Sequence, residues 1–517
     1  MKVALVCTEK LPVPPILGGA IQIYIEGILP ELSKHHEITV FCIKQESLPD
    51  EEELNGVRYI RVAGSNKTEY VRNIKLRLDD SYDLIHVFNR PRWVVRLSKA
   101  LPKTKFSLSL HNEMMHEEKI PRDMGLTCIK RVEFITTVSK FIADGVIKLF
   151  PEAEGKIYTV YSGVDVDKFK PVMSEEGIRN KEILKKELGI EDKKVVLFVG
   201  RLGEKKGAEK LITAMKSVMD IRSDVALVVI GSRWYGTNTA DEYTKSVVAL
   251  AESLNGPAMF TGYLSHEVMP AYYNLADVFV CPSQWREPLA RVHYEAMAAG
   301  LPIITTNRGG NKEVVEGYEN GIVIDDFSNP DAFSEQILLL LDNPEKASAM
   351  GLKGRKLAEE KYSWNRVAND LLTLFRIAEE SQQVQPEQPP EVATEDSEAS
   401  KQVLPEQPSE VATEENGASK QVLPEQPSEA STEENGASEQ VLPEQPSEAS
   451  TEENKAPKQV FDKKTSEMGA EINNNKDFTK EKHAIFRKMI GLRYPGMPDD
   501  VVDFLEEFED YFLRGEL

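Results

Sequence analysis

No run of apolar residues in this chain approaches the roughly 18 needed to cross a bilayer as a helix, so a membrane span is excluded from the reading. The apolar start, Met1-Lys2-Val3-Ala4-Leu5-Val6-Cys7, is too short for a signal peptide and reads as a first strand. Cysteine is scarce. Cys7, Cys42, Cys128 and Cys281 lie far apart without metal-like spacing, and three of them fall in or at the end of apolar, strand-like runs. Small core residues in a reduced, cytosolic compartment fit that usage. A basic stripe is missing as well, which disfavours nucleic acid as a partner.

What is present is 517 residues, enough for two or three domains, with an unevenly placed charge. Residues 383–458 carry 18 acidic side chains against four lysines, so −14 of the net −22 falls there and −8 is spread over the other 441 residues. The same stretch has no aromatic residue and repeats every 19 positions, at Gln383-Val384, Gln402-Val403, Gln421-Val422 and Gln440-Val441, each copy with a Pro-Glu-Gln-Pro core. One apolar pair per copy buries too little to offset ordering entropy, so a disordered spacer is expected rather than a solenoid. Aromatics return after Phe461. Asp499 or Asp500 would cap a helix with Val501, Leu505, Phe508 and Phe512 on one side, so residues 459–517 read either as a helical segment that docks on a partner or as a solvated tail.

The first 380 residues alternate short β-branched runs with helical patterns, the mark of an α/β chain with parallel sheets. Strands are expected at 3–7, 38–42, 57–62, 84–88, 106–110, 134–138 and 157–161. A second series follows at 195–199, 226–230, 278–281, 303–305 and 322–324. Two facing, doubly wound Rossmann-like domains result, 1–170 and 171–362, with a polar hinge over 165–192 and a crossover helix over 363–380. Ligands in such sheets sit beyond the carboxyl ends of the strands.

Two motifs carry chemistry. In the first, the apolar strand 195–199 runs into Gly200-Arg201-Leu202-Gly203-Glu204-Lys205-Lys206-Gly207. Arg201 offers a planar fork and Lys206 a mobile point charge to phosphate oxygens, with Lys205 an ambiguous neighbour. The second places Glu287 and Glu295 eight residues apart, the first before a helix and the second inside it, in Glu287-Pro288-Leu289-Ala290-Arg291-Val292-His293-Tyr294-Glu295. Carboxylates accept hydrogen bonds from sugar hydroxyls, and the helix start between them offers N–H groups to a phosphate. Taken alone, that spacing also suits a solvated amphipathic helix.

Together Gly200-Arg201…Lys206-Gly207 and Glu287…Glu295-Ala296…Gly300-Leu301-Pro302 resemble the donor site of the retaining family-4 glycosyltransferases of GT-B fold, over about residues 1–378. Glu9-Lys10-Leu11-Pro12-Val13-Pro14, Asn89-Arg90-Pro91 and Ser283-Gln284-Trp285 add a closer resemblance to the glycosyltransferase-type spore coat proteins of endospore-forming bacteria. The resemblance implies a nucleotide-sugar donor, transfer with retention, a glycan or coat-protein acceptor, no cofactor and no required metal. It implies that Arg201 and Lys206 hold the diphosphate, Glu295 the ribose and Glu287 the donor sugar, with Leu289 and Ala290 in the donor-binding loop. His111 would stand near the donor sugar, although a strand-end histidine is often a core-edge hydrogen bonder. Gly18 and Gly19 would let the backbone approach the ligand, or else form a plain turn. The base would be bracketed by Gly231-Ser232-Arg233-Trp234 and Gly262-Tyr263. Asp165-Val166-Asp167 imitates a metal-binding Asp-x-Asp but falls where this family keeps a turn. A rival reading keeps the fold and makes the chain a coat-assembly protein that acts by docking, and a sugar-nucleotide epimerase would share the fold too.

Overall fold

In the computed structural model residues 1–232 and 241–380 are described. The acidic repeats, the segment 459–517, and Arg233 and Trp234 lie outside them. The first half runs β1 (Lys2–Val6), α1 (Ala20–Leu32), β2 (Glu37–Ile43), β3 (Glu51–Leu54), β4 (Val57–Val62), α2 (Lys67–Lys75), β5 (Leu84–Phe88), α3 (Pro91–Ala100), β6 (Lys105–Leu110), α4 (Arg122–Arg131), β7 (Val132–Thr137), α5 (Lys140–Leu149) and β8 (Ile157–Thr159). The second half runs α6 (Glu175–Glu187), β9 (Lys194–Val199), α7 (Ala208–Ile221), β10 (Val225–Ile230), α8 (Glu242–Ala251), β11 (Ala258–Gly262), α9 (Met269–Leu275), β12 (Val278–Cys281), α10 (Val292–Ala298), β13 (Ile303–Thr306), β14 (Gly321–Ile324), α11 (Pro330–Asp342) and α12 (Pro344–Lys361), then α13 (Trp364–Glu380).

Two sheets result, ordered β3-β4-β2-β1-β5-β6-β7-β8 and β11-β10-β9-β12-β13-β14, parallel throughout except for the β3–β4 pair. Both faces of each sheet are covered, so β1, β5, β10 and β12 are apolar along nearly their whole length rather than alternating. All four cysteines are free and buried.

Three features differ from the sequence expectation. A hairpin, β3–β4, turns through Asn55-Gly56, whose φ values of 52° and 75° suit a two-residue turn. β11 is an extra edge strand pairing with β10. The stretch expected as a hinge over 165–192 contains α6, capped by Ser174 Oγ on Gly177 N and packed on α9.

The last helix crosses back to the first half. Leu371, Phe375 and Ala378 of α13 join the cluster formed by Val3 and Leu5 of β1 and Ile25 and Ile28 of α1. Trp364 at its start needs room that two glycines leave: a Cβ on Gly27 would lie 2.2 Å from its ring, and one on Gly163, 2.5 Å. Another tie is Glu313 of the second half. Its two carboxylate oxygens accept from Lys140 N (2.8 Å) and Phe141 N (2.7 Å), two N–H groups left without intrahelical partners at the start of α5, and from Tyr161 OH (2.9 Å).

Candidate functional site

In the second sheet the strand order reverses between β9 and β12, and in the first sheet at β1, between β2 and β5. Such reversals open a crevice at the carboxyl ends of the strands, and the loops after β9 and β12 line it from the second half. Those are the loops that carry Arg201, Lys206 and Glu287.

Three glycines shape this edge. Gly200, Gly231 and Gly262 end the neighbouring strands β9, β10 and β11; Gly231 N donates to Gly262 O (2.9 Å), and Gly200 N to Ile230 O (3.0 Å). Gly231 has φ 135°, and a Cβ there would lie 2.0 Å from Gly200 O. The chain after β9 then makes a 3-10 turn, Glu204–Lys206, and Gly207 (φ 73°) starts α7 so close to Pro282 O that a Cβ would stand 2.0 Å from it. This contact presses the cation-bearing turn against the end of β12.

Lys206 and Glu287 therefore meet. Lys206 Nζ lies 2.8 Å from Glu287 Oε2, which also accepts from Trp285 Nε1 (2.5 Å) and Ser283 Oγ (3.3 Å). Glu287 is 7% exposed. The sequence expectation gave the cation to the diphosphate and the acid to the sugar; in the structure they are first partners of each other. Lysine has three N–H donors, so two stay available beyond this contact. Arg201 is exposed in the turn after β9, while Lys205 stacks its ammonium 5.3 Å over the Trp285 ring. Tyr263 is half-buried just past β11.

Glu295, 8% exposed, lies inside α10 and accepts from Tyr273 OH through Oε2 (2.7 Å). Its Oε1 is 3.5 Å from Arg291 Nη2. Leu289 and Ala290 are buried in the core between the two acids. The N–H of Ala290, expected in the donor-binding loop, donates to Asn311 Oδ1 (3.0 Å).

On the first half His111 follows β6, 9% exposed, with its backbone N–H donating to Asn89 Oδ1 (3.1 Å). Thr136 Oγ1 donates to Ser109 Oγ (2.9 Å), which lies 3.0 Å from His111 Nε2. With Ser109 Oγ already accepting from Thr136, its own hydrogen is available to Nε2, an arrangement that suits the tautomer with the proton on Nδ1. Burial, helped by the charge of Arg291, pushes the imidazole pKa down to about 3. Gly18 and Gly19 hold φ 80° and 103° before α1. A Cβ on Gly19 would lie 2.3 Å from Gln22 Oε1 and 2.7 Å from Leu11, so internal packing by itself requires glycine there. Glu9 and Arg90 form a two-bond pair (2.9 and 2.7 Å) at the reversal point of the first sheet. Asp165 Oδ1 accepts from Asp167 N and Lys168 N, the internal bonds of a turn. Among the described residues no group of three His, Cys, Asp or Glu side chains is arranged to hold a metal.

Buried neutral histidines have a measurable consequence. His86 and His111 are lowered to about 3 and His293 to about 4, mainly by burial, against an unfolded value near 6.5. Below pH 6.5 the unfolded chain binds protons that the folded chain does not, so stability falls as the pH drops. The three together remove on the order of 4 kcal/mol per pH unit once the pH is well below 6. Thermal unfolding followed from pH 7 to 4.5 should show a steeply falling Tm, and a flat Tm over that range contradicts the burial described.

Sequence reasoning did not single out Arg291, Tyr273 or Glu313. Arg291 carried one signal: a cation inside an otherwise apolar stretch next to the acid pair.

Two family models match the chain, Glycosyltransferase Family 4 over residues 18–168 and Glycosyl transferases group 1 over residues 180–357. The chain is 46% identical over 376 residues to Spore coat protein SA of Bacillus subtilis, covering 72% of this chain and 99% of that one. It is 43% identical to a putative glycosyltransferase of the same organism, YtcC, over 73% of this chain and 92% of the other. Among solved structures, a sucrose-phosphate synthase from Thermosynechococcus elongatus superposes with a TM-score of 0.61 at 20% identity, over 74% of this chain and 99% of that one. The Anabaena HepE protein in complex with UDP-glucose superposes with 0.59 at 18% identity, over 74% and 100%. These likenesses establish the GT-B arrangement of two parallel-sheet halves. Among the described residues no helix is long and apolar enough to cross a membrane.

Proposed function

The chain belongs to the glycosyltransferases, family 4 in its first half and group 1 in its second, and from that membership we propose that it moves a hexosyl group from a nucleoside-diphosphate sugar to a spore-coat or envelope acceptor with retained anomeric configuration. The observation that carries the reading is the contact of Lys206 with Glu287, which joins the loops after β9 and β12 where the second sheet reverses its order.

In this reading Arg201 and the remaining N–H groups of Lys206 stabilise charge as it gathers on the departing diphosphate. Glu287 orients donor-sugar hydroxyls, and Glu295 accepts from the ribose. His111, neutral at physiological pH, donates Nδ1–H to the donor sugar and does not act as an acid. Arg201, Lys206 and backbone amides supply the electrostatic stabilisation while the acceptor hydroxyl attacks from the face the nucleotide leaves, so no protein nucleophile and no metal are required. The base rests near Ser232 and Tyr263, and the acceptor enters from the first half beside Gly18 and Gly19.

Offered a panel of UDP-, GDP- and ADP-hexoses, the purified chain is expected to release nucleoside diphosphate from at least one. Glu295→Ala is expected to lower kcat/KM by about 100-fold, the worth of one or two hydrogen bonds to a carboxylate. The 46% identity to a protein named for the spore coat favours a second reading, coat assembly by docking. A chain that neither turns over nor binds any of the three nucleotides would support that second reading and contradict the first.

A further inference from the structure

Arg291 precedes α10, four residues before Glu295, and its largely buried side chain reaches three separate parts of the molecule. Nη2 lies 3.5 Å from Glu295 Oε1. Nη1 donates to Ser162 Oγ (3.2 Å) and Gly163 O (3.1 Å), in the stretch between the two sheets. The guanidinium carbon stands 5.3 Å over the ring of Trp364, where α13 begins its return to the first half.

Stability is a weak reason for such a residue. Its Nε is buried and has no acceptor among the described residues, and one such unmade hydrogen bond costs about 1–3 kcal/mol against what the other contacts contribute. A buried ion pair is often matched by apolar residues of similar volume.

Glu295 supplies a better reason. Tyr273 OH holds one carboxylate oxygen at 2.7 Å, and Arg291 faces the other. Two fixed partners set one orientation and leave lone pairs on both oxygens for further donors. We propose that Arg291 is a positioning residue of the donor site, holding Glu295 oriented for the hydroxyls of a nucleotide ribose and anchoring that acid to the segment between the two halves. The inference rests on the reading of Glu295 as the ribose acid. It adds that donor affinity depends on a side chain that touches no donor atom.

Calorimetric titration of the full chain with UDP, GDP and ADP identifies the tightest probe, which is then titrated into Arg291→Met, Arg291→Lys, Glu295→Gln and the double variant Arg291→Met/Glu295→Gln. Arg291→Met is expected to raise Kd about 10- to 50-fold, equivalent to one charge-assisted interaction. Arg291→Lys, which keeps the charge, recovers part of the loss. The double variant binds within about twofold of Glu295→Gln, because the arginine acts through the acid and the two losses do not add. A merely structural arginine gives losses that multiply, with a Tm that falls in parallel, and that result overturns the proposal. So does Arg291→Met binding like the wild type. Should Arg291→Met not fold, Arg291→Gln takes its place in the same cycle. A wild-type chain that binds none of the three diphosphates, or a Glu295→Gln chain that binds as wild type, overturns the donor reading and the inference with it, a pattern distinct from failure at Arg291 alone.

Discussion

Replacing Lys206 with alanine is expected to lower kcat/KM for the donor by about two to three orders of magnitude, the usual effect of removing one preorganised group that meets developing charge. Lys206 Nζ sits 2.8 Å from Glu287 Oε2, a carboxylate 7% exposed and otherwise held by Trp285 and Ser283. Removing the cation takes away a partner for the leaving diphosphate and also leaves an acid whose charge repels it. The two effects can be separated. In Lys206→Met/Glu287→Gln both charges of the pair are gone, so thermal stability should return towards the wild-type value while turnover stays lost. If the double variant regains turnover along with its stability, Lys206 serves the fold and not the reaction.

The second large effect concerns backbone. Gly231→Ala should destabilise the second half by about 3 kcal/mol or more and abolish nucleotide binding, because strain at positive φ and overpacking act together. Its Cβ would stand 2.0 Å from Gly200 O, which must move, and Gly200 leads directly into Arg201. The bond from Gly231 N to Gly262 O carries the disturbance to the end of β11, where Tyr263 follows. Gly189→Ala is the internal control. It has φ 66° with nothing within 4 Å of the added Cβ, so about 1 kcal/mol from the left-handed conformation is all it should lose. Equal losses at the two positions, read from denaturant unfolding, would show that the crowding at the strand ends carries no weight.

Much of this frame was legible in the residues. Apolar runs such as Val195–Val199 and the alternation with helical patterns gave the two sheets, because strands buried on both faces must be apolar throughout. The edges were harder. β3 is Glu51-Glu52-Glu53-Leu54, largely exposed and acidic, so no apolar signal marks it, although Asn55-Gly56 is a recognisable hairpin turn. β11 is half-buried along its length and shows no alternation either. At the site, types and spacing pointed to Arg201, Lys206, Glu287 and Glu295, but spacing carries no pairing information. It could not show that Lys206 would meet Glu287, that Asn311 would take the N–H of Ala290, or that Arg291 would bridge Glu295 to Trp364. Arg291 and Glu295 are neighbours on one helical turn, but Lys206 and Glu287 are 81 residues apart, Ala290 and Asn311 are 21 apart, and Trp364 is distant from Arg291, so only the assembled sheets bring those groups together.

Every role proposed above requires a single groove in which the turn after β9 and the acids after β12 hold one sugar diphosphate. A crystal structure of the full chain grown with the tightest-binding nucleoside diphosphate tests it directly. The diphosphate is predicted within hydrogen-bond distance of Arg201 and Lys206, with the ribose hydroxyls on Glu295. A nucleotide bound elsewhere, or with its ribose and phosphates turned away from these three side chains, would contradict it.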